Sequence, residues 1–175
     1  MEFKRIVVIG TSSGGIESLR MLAGALPPDF PAPLCIVMHL APESPGVLHD
    51  ILQRAGPLEA VSPRQGERLR RGTIYVAPPD RHLIVEPGQL RLTKAPRENR
   101  FRPAVDPLFR SAAQSYGPAT IGVILTGNLD DGTAGLAAPP SCRIPTTRCS
   151  RRCRRAQLPT LPSITWFPSP SSRGC

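Results

Sequence analysis

The sequence predicts an α/β fold: a doubly wound, mostly parallel sheet with helices on both faces, one β-hairpin and a disordered C-terminal tail. Three observations carry this. Apolar runs of five to seven residues alternate with stretches of helical periodicity, the pattern of strands buried on both faces and linked by crossover helices. Two neighbouring runs are joined by Pro87-Gly88, a hairpin turn signal. The composition then changes abruptly after Ala138.

Taken in order, Arg5–Gly10 (RIVVIG) is β-branched, apolar and closed by glycine, as a buried strand is. Over Gly14–Leu26, Ile16, Leu19, Leu22, Ala23 and Leu26 recur at helical spacing until Pro27-Pro28 stops the helix. Leu34–Leu40 (LCIVMHL) reads as a second strand and Ser44–Arg54 as a second helix. Thr73–Ala77, His82–Glu86 and Gln89–Thr93 are three further strands, the last two forming the hairpin. Pro103–Tyr116 is a helix with proline at its start, Ile121–Thr126 (IGVILT) another buried strand, and a further helix is expected to begin near Thr133. No internal repeat is present.

The 175 residues suit a single domain with a tail. No run of about eighteen apolar residues exists to span a membrane. The N-terminus, MEFKRIVVIG, enters a strand directly and lacks a cleavable apolar signal. A cytoplasmic location is expected. The formal net charge of +9 suggests nucleic acid until the chain is divided. Residues 139–175 hold seven Arg and no Lys, Asp or Glu, which leaves 15 basic and 13 acidic residues in the body. Four of the five cysteines (Cys142, Cys149, Cys153 and Cys175) and seven of the 22 prolines also lie in the tail. Two units follow: residues 1–138, a folded domain, and residues 139–175, a Pro/Arg/Cys-rich tail.

Ligands of such sheets bind beyond the carboxyl ends of the strands. Three polar clusters fall there: Gly10-Thr11-Ser12-Ser13-Gly14-Gly15, His39, and Thr126-Gly127-Asn128-Leu129-Asp130-Asp131-Gly132. A hydroxyl, an imidazole that takes its proton and a carboxylate that fixes the tautomer are the parts of a serine hydrolase. A serine in a glycine-rich turn before a helix also gains backbone N–H groups that can hold an oxyanion. Each piece has a plainer reading. Such a turn often holds a phosphate, although G-x-G-x-x-G spacing and a P-loop lysine are both missing. A histidine at a strand end is commonly structural, and Asp130 and Asp131 suit a helix cap. His49 and His82 read as surface or core residues, and Cys35 as buried filler. Arg100 and Arg102 read equally as substrate-rim residues and as solvated charges.

The stretches VVIGTSSGG, IVMHLAP, GTIYVAPPDRHLIVE, NRFRPAVDPLFRSAA and GVILTGNLDDGTAGLAA lie in an order and spacing that resemble the catalytic domain of the chemotaxis protein-glutamate methylesterases (CheB type). The resemblance covers nearly all of residues 4–138. It implies that Ser12 is the nucleophile, His39 the general base and Asp131 the orienting carboxylate. The backbone N–H groups of Ser13 and Asn128 would form the oxyanion hole. At Asn128-Leu129 the family more often carries Met-Gly, a change that a backbone donor tolerates. The implied activity is hydrolysis of glutamyl methyl esters on the cytoplasmic signalling helices of methyl-accepting chemotaxis receptors, with deamidation of receptor glutamines in related members. No cofactor, metal, nucleic acid or membrane insertion is implied. The phosphorylatable receiver domain of many members is not expected in this chain, whose first strand starts at Arg5.

The resemblance stops after Ala138. When the third base of each codon is read with the first two of the next, permitted synonymous codons turn Pro140–Arg154 into V-V-Q-D-P-D-D-A-L-F-P-S-M-P. The same shift turns Ser163–Ser171 into D-H-V-V-P-L-A-E. Both resemble the family's missing C-terminal segment, in the right order, so the tail is expected to be a frameshifted, disordered version of it. The sheet would then lack a strand beside Ile121–Thr126, and an open edge favours aggregation. An inactive truncated remnant and a non-catalytic receptor-binding scaffold are therefore alternatives to an active esterase. A remote alternative is nucleic-acid binding through the arginines, which lack a recognition helix. A zinc site from Cys142, Cys149 and Cys153 fits no standard spacing.

Overall fold

A computed structural model describes residues 3–125 and 146–148. The main sheet has six strands in the order β3-β4-β2-β1-β7-β8, and every pairing in it is parallel. In chain order these are β1 (Ile6–Thr11), β2 (Leu34–Met38), β3 (Glu59–Val61), β4 (Thr73–Val76), β7 (Thr120–Ile124) and β8 (Thr146–Arg148). A separate antiparallel pair, β5 (His82–Glu86) and β6 (Gln89–Thr93), forms the hairpin. The helices are α1 (Ile16–Ala25), α2 (Leu48–Ala55) and α3 (Val105–Tyr116).

Alternation along the buried strands divides the core in two. Ile6 and Val8 of β1 with Cys35 and Val37 of β2 face α3 and the hairpin, where they meet Leu83, Val85, Leu108 and Phe109. Ile9 with Leu34, Ile36 and Met38 face α1 and α2, where Leu19, Ala23 and Leu52 cover them. Both faces of the central strands are thus dry, as the apolar runs require. Phe109 and Leu108 are completely buried, and each such side chain stabilises the fold by about 1.5–3 kcal/mol. The hairpin is tied down by hydroxyls of α3. Ser111 Oγ accepts from the Val85 N–H at 3.0 Å, and Ser115 Oγ donates to the Val85 carbonyl at 2.9 Å. A lone two-stranded ribbon is marginal in water, so these bonds and the Leu83–Phe109 packing hold it in place.

The structure differs most from the sequence expectation in three places. Helix α2 begins at Leu48, four residues after Ser44, because Pro45-Gly46 intervenes and Gly46 has φ 68°. Strand β3 was not expected. The third difference concerns the tail. Thr146–Arg148 pairs with β7 in the register Gly122↔Thr146, Val123↔Thr147 and Ile124↔Arg148. The edge expected to stand open is therefore filled for three residues. The physical reason is that an unpaired parallel edge accepts any short extended segment, and two β-branched threonines suit one. The helix expected near Thr133 and the rest of the tail lie outside the described residues.

Cys35 is fully buried in β2, and burial pushes its thiol well above the ordinary range. Such a thiol is a packing group with little reactivity. Iodoacetamide treatment of the native chain, followed by peptide mass mapping, should leave Cys35 unmodified until urea is added. Labelling at the unfolded-state rate would contradict that placement.

Candidate active site

Strands β1 and β2 run side by side in parallel, with Thr11 opposite Met38. The residues that follow each pair partner are Ser12 and His39, so the two sit together at one sheet edge, on backbones about 4.8 Å apart. The ladder continues one step beyond the strands, for the His39 N–H donates to the Thr11 carbonyl at 3.1 Å. Ser12 has an extended backbone, with φ −91° and ψ 176°, and caps a short 3-10 turn over Ser13–Gly15 that leads into α1. The Gly15 N–H closes this turn on the Ser12 carbonyl at 2.9 Å. Gly10, just before, cannot carry a side chain, since a Cβ there would overlap Val105 of α3.

On the other side of β1, Gly10 pairs with Ile124, and the Leu125 N–H donates to the Gly10 carbonyl at 3.1 Å. The chain therefore leaves β7 at the same edge that carries Ser12 and His39. The segment that follows contains Asn128 and Asp131, which lie outside the described residues, as does Asp130. Of the five expected site positions, the structure brings together Ser12, Ser13 and His39.

His39 is 9% exposed, and Phe101 lies flat against its ring, with centroids 3.7 Å apart and planes 2° from parallel. Sequence reasoning did not find Phe101. It sits in a loop between the hairpin and α3 whose ties were equally hidden. Arg102 was read as a rim candidate, but its guanidinium is spent inside the protein. Its Nε donates to Asp80 Oδ1 at 2.8 Å, and its Nη1 donates to the carbonyls of Lys94 and Ala95, each at 3.1 Å. Arg102 in turn holds the Asp80 carboxyl below the usual carboxylate range. Arg100 remains exposed. His82 is a core residue with both ring nitrogens engaged. Nδ1 accepts from the Ala104 N–H at 3.2 Å, which makes Nε2 the donor to the Pro96 carbonyl at 3.0 Å. His49 is half-buried on α2, with Nδ1 3.0 Å from the Gly46 carbonyl oxygen.

Among the described residues, no cluster of three or more His, Cys, Asp or Glu side chains is arranged to hold a metal ion. The cysteines weighed for zinc, Cys142, Cys149 and Cys153, lie outside them. No helix in the described part is long and apolar enough to cross a membrane.

A serine at a glycine-rich strand-to-helix turn, with a buried imidazole one strand away, is found in many hydrolases, and comparison with known proteins narrows the choice. Residues 7–144 match the family model described as CheB methylesterase. The chain belongs to the CheB methylesterase family. A protein-glutamate methylesterase/protein-glutamine glutaminase of Anaeromyxobacter dehalogenans is 44% identical over 131 residues, which is 75% of this chain and 38% of that protein. One from Myxococcus xanthus is 42% identical over 132 residues, 75% of this chain and 37% of that protein. The chain thus spans about two-fifths of the length of these relatives. The crystal structure of the Thermotoga maritima CheB methylesterase catalytic domain superposes with a TM-score of 0.70 at 41% identity, covering 75% of this chain and 71% of that one. Membership agrees with the family resemblance of the sequence motifs. The model's match also runs six residues past Ala138, where that resemblance ended.

Proposed function

We propose that residues 1–138 form a protein-glutamate methylesterase domain that hydrolyses glutamyl methyl esters on the cytoplasmic helices of methyl-accepting chemotaxis receptors, and that deamidates receptor glutamines by the same chemistry. The observation that carries this reading is the meeting of Ser12 and buried His39 at the carboxyl ends of adjacent parallel strands. The names of the relatives supply the substrate class.

In the proposed mechanism His39 takes the Ser12 hydroxyl proton as Oγ attacks the ester carbonyl. The backbone N–H groups of Ser13 and Asn128 hold the developing oxyanion, a contribution of about 2.7–4 kcal/mol per donor in comparable sites. The intermediate collapses, the C–O bond to the methoxy group breaks, and His39 returns the proton so that methanol leaves. A water molecule, deprotonated by His39, then cleaves the acyl-enzyme to release glutamate and regenerate Ser12. Asp131 orients the imidazole throughout.

A second reading is favoured by the tail: residues 139–175 are a frameshifted C-terminal segment, and the chain is an impaired remnant or a receptor-binding scaffold. Its seven arginines, its lack of acidic residues and its seven prolines are unlike the body, and prolines remove the backbone donors that helices and strands need. One assay separates the two. Methanol release from methylated receptor is measured for this chain and for a version whose frame is restored after Ala138. Turnover by both supports the esterase reading. Turnover by the restored version alone assigns the defect to the tail, and turnover by neither overturns the methylesterase assignment.

A further inference from the structure

The strip of chain from Pro96 to Ala104 joins the hairpin to α3, and it is held with unusual thoroughness for a surface loop. At its two ends the His82 ring bridges the Pro96 carbonyl and the Ala104 N–H, at 3.0 and 3.2 Å. Inside it, Glu98 and Phe101 exchange backbone hydrogen bonds of 3.2 and 2.9 Å, closing a two-residue turn over Asn99 and Arg100. Both turn residues have positive φ, 51° and 72°, as in type I′ turns, where glycine is favoured and arginine is strained. Three side-chain ties hold the turn in that form. Asn99 Nδ2 donates to buried Asp106 Oδ2 at 2.9 Å, Arg110 Nη2 donates to both Glu98 oxygens at 2.8 and 2.7 Å, and Arg102 is locked to Asp80. All this machinery presents one side chain inward, and the Phe101 ring lands on His39.

We infer that Phe101 is a positioning residue for the reaction, a flat aromatic plate that fixes the plane of the His39 imidazole. The inference rests on the proposed role of His39 as the general base. An imidazole that must accept a proton from Ser12 and return it to a leaving group needs its ring edge, not its face, toward the reacting atoms. A parallel ring at 3.7 Å leaves no room for rotation about the Cβ–Cγ bond. Its π face also meets the positive charge that the imidazole gains on taking the Ser12 proton. The strained turn is the means by which a loop residue is placed this firmly, since strain persists only where the surroundings over-determine it.

The test uses the full chain with ring-labelled histidine, which gives three imidazole signals, that of His39 being assigned by its loss in His39→Gln. A stacked aromatic ring shifts the His39 ring protons upfield. Phe101→Ala and Phe101→Leu should move that signal downfield while the His49 and His82 signals stay in place, and Phe101→Tyr should restore the original position. In parallel, the rate at which a fluorophosphonate labels Ser12 should fall about tenfold to 100-fold in the Ala and Leu variants and recover in Phe101→Tyr. An unmoved His39 signal, or an unchanged labelling rate in both Ala and Leu variants, overturns the positioning role. If His39→Gln labels as fast as wild type, it is the general-base assignment that fails. That outcome is distinguishable because the histidine spectra report the stacking without reference to catalysis.

Discussion

Replacing Ser12 with alanine should reduce methanol release from methylated receptor about a millionfold, the scale seen when the nucleophile of a serine hydrolase is deleted. The loss is that large because the remaining parts act only through the hydroxyl. In the proposed mechanism His39 then has no proton to take, and the backbone N–H groups proposed as oxyanion donors, those of Ser13 and Asn128, have no covalent intermediate to hold. The substitution costs the fold little. Ser12 makes its turn through its backbone carbonyl, 2.9 Å from the Gly15 nitrogen, and its φ and ψ are ordinary for alanine. Circular dichroism of the variant should match the parent while fluorophosphonate labelling disappears. Labelling that persists at another serine would show that Ser12 is not the nucleophile.

A large loss of stability is expected for Gly56→Ala, far from the site. Gly56 ends α2 with φ −151° and ψ 176°, a conformation open to any residue, so backbone freedom is not why glycine stands there. The reason is space. A Cβ at Gly56 would overlap the carbonyl group of Ala23, and one at Gly24 would lie 2.9 Å from the Ala55 carbonyl oxygen. The two glycines let α1 and α2 cross with their backbones in contact, and that contact seats Leu19, Ala23 and Leu52 on the sheet. The obstacle is main chain within a helix and cannot rotate aside. The helices must separate, at a cost of about 1–3 kcal/mol or more. Urea denaturation should show a lower midpoint with an unchanged slope, and a midpoint equal to that of the parent would refute the close-packing account.

How much of this was legible in the sequence depended on how local the cause was. Strands β5 and β6 coincide with the expected runs residue for residue, because Pro87-Gly88 forces the turn and Gly88 takes φ 81°. Ser12 and His39 could be placed at one edge because a residue that follows a parallel strand must emerge there. Strand β3 escaped notice because Glu59–Val61 is three residues long, too short for a period to register. The Phe101 plate escaped for the opposite reason. Asn99 and Arg100 take left-handed conformations that local rules reserve for glycine, and only distant partners (Asp80, Asp106 and Arg110) make them do so. Arg102 looked like a surface charge because sequence does not reveal that two carbonyls and a carboxylate await it. In the tail, nothing local in Thr146–Arg148 revealed that these three residues would pair with the edge of β7. The carboxylate cluster could be placed at the same edge from the strand pattern, whereas the choice of Asp131 over Asp130, and of Asn128, rests on the family motif alone.

The strand order also governs when this protein can become whole during synthesis. Strand β1 is interior, yet its two neighbours are made at very different times: β2 follows at residue 34, whereas β7 begins at residue 120. A nascent chain of a hundred residues already carries the serine turn and the histidine, but the flank of β1 that will pair with β7 is still a bare ladder. Sequence-distant pairings of this kind slow folding, and a half-built parallel sheet is the sort of surface to which other chains adhere. The strand that leads into the serine turn is thus sealed late, only once β7 has emerged.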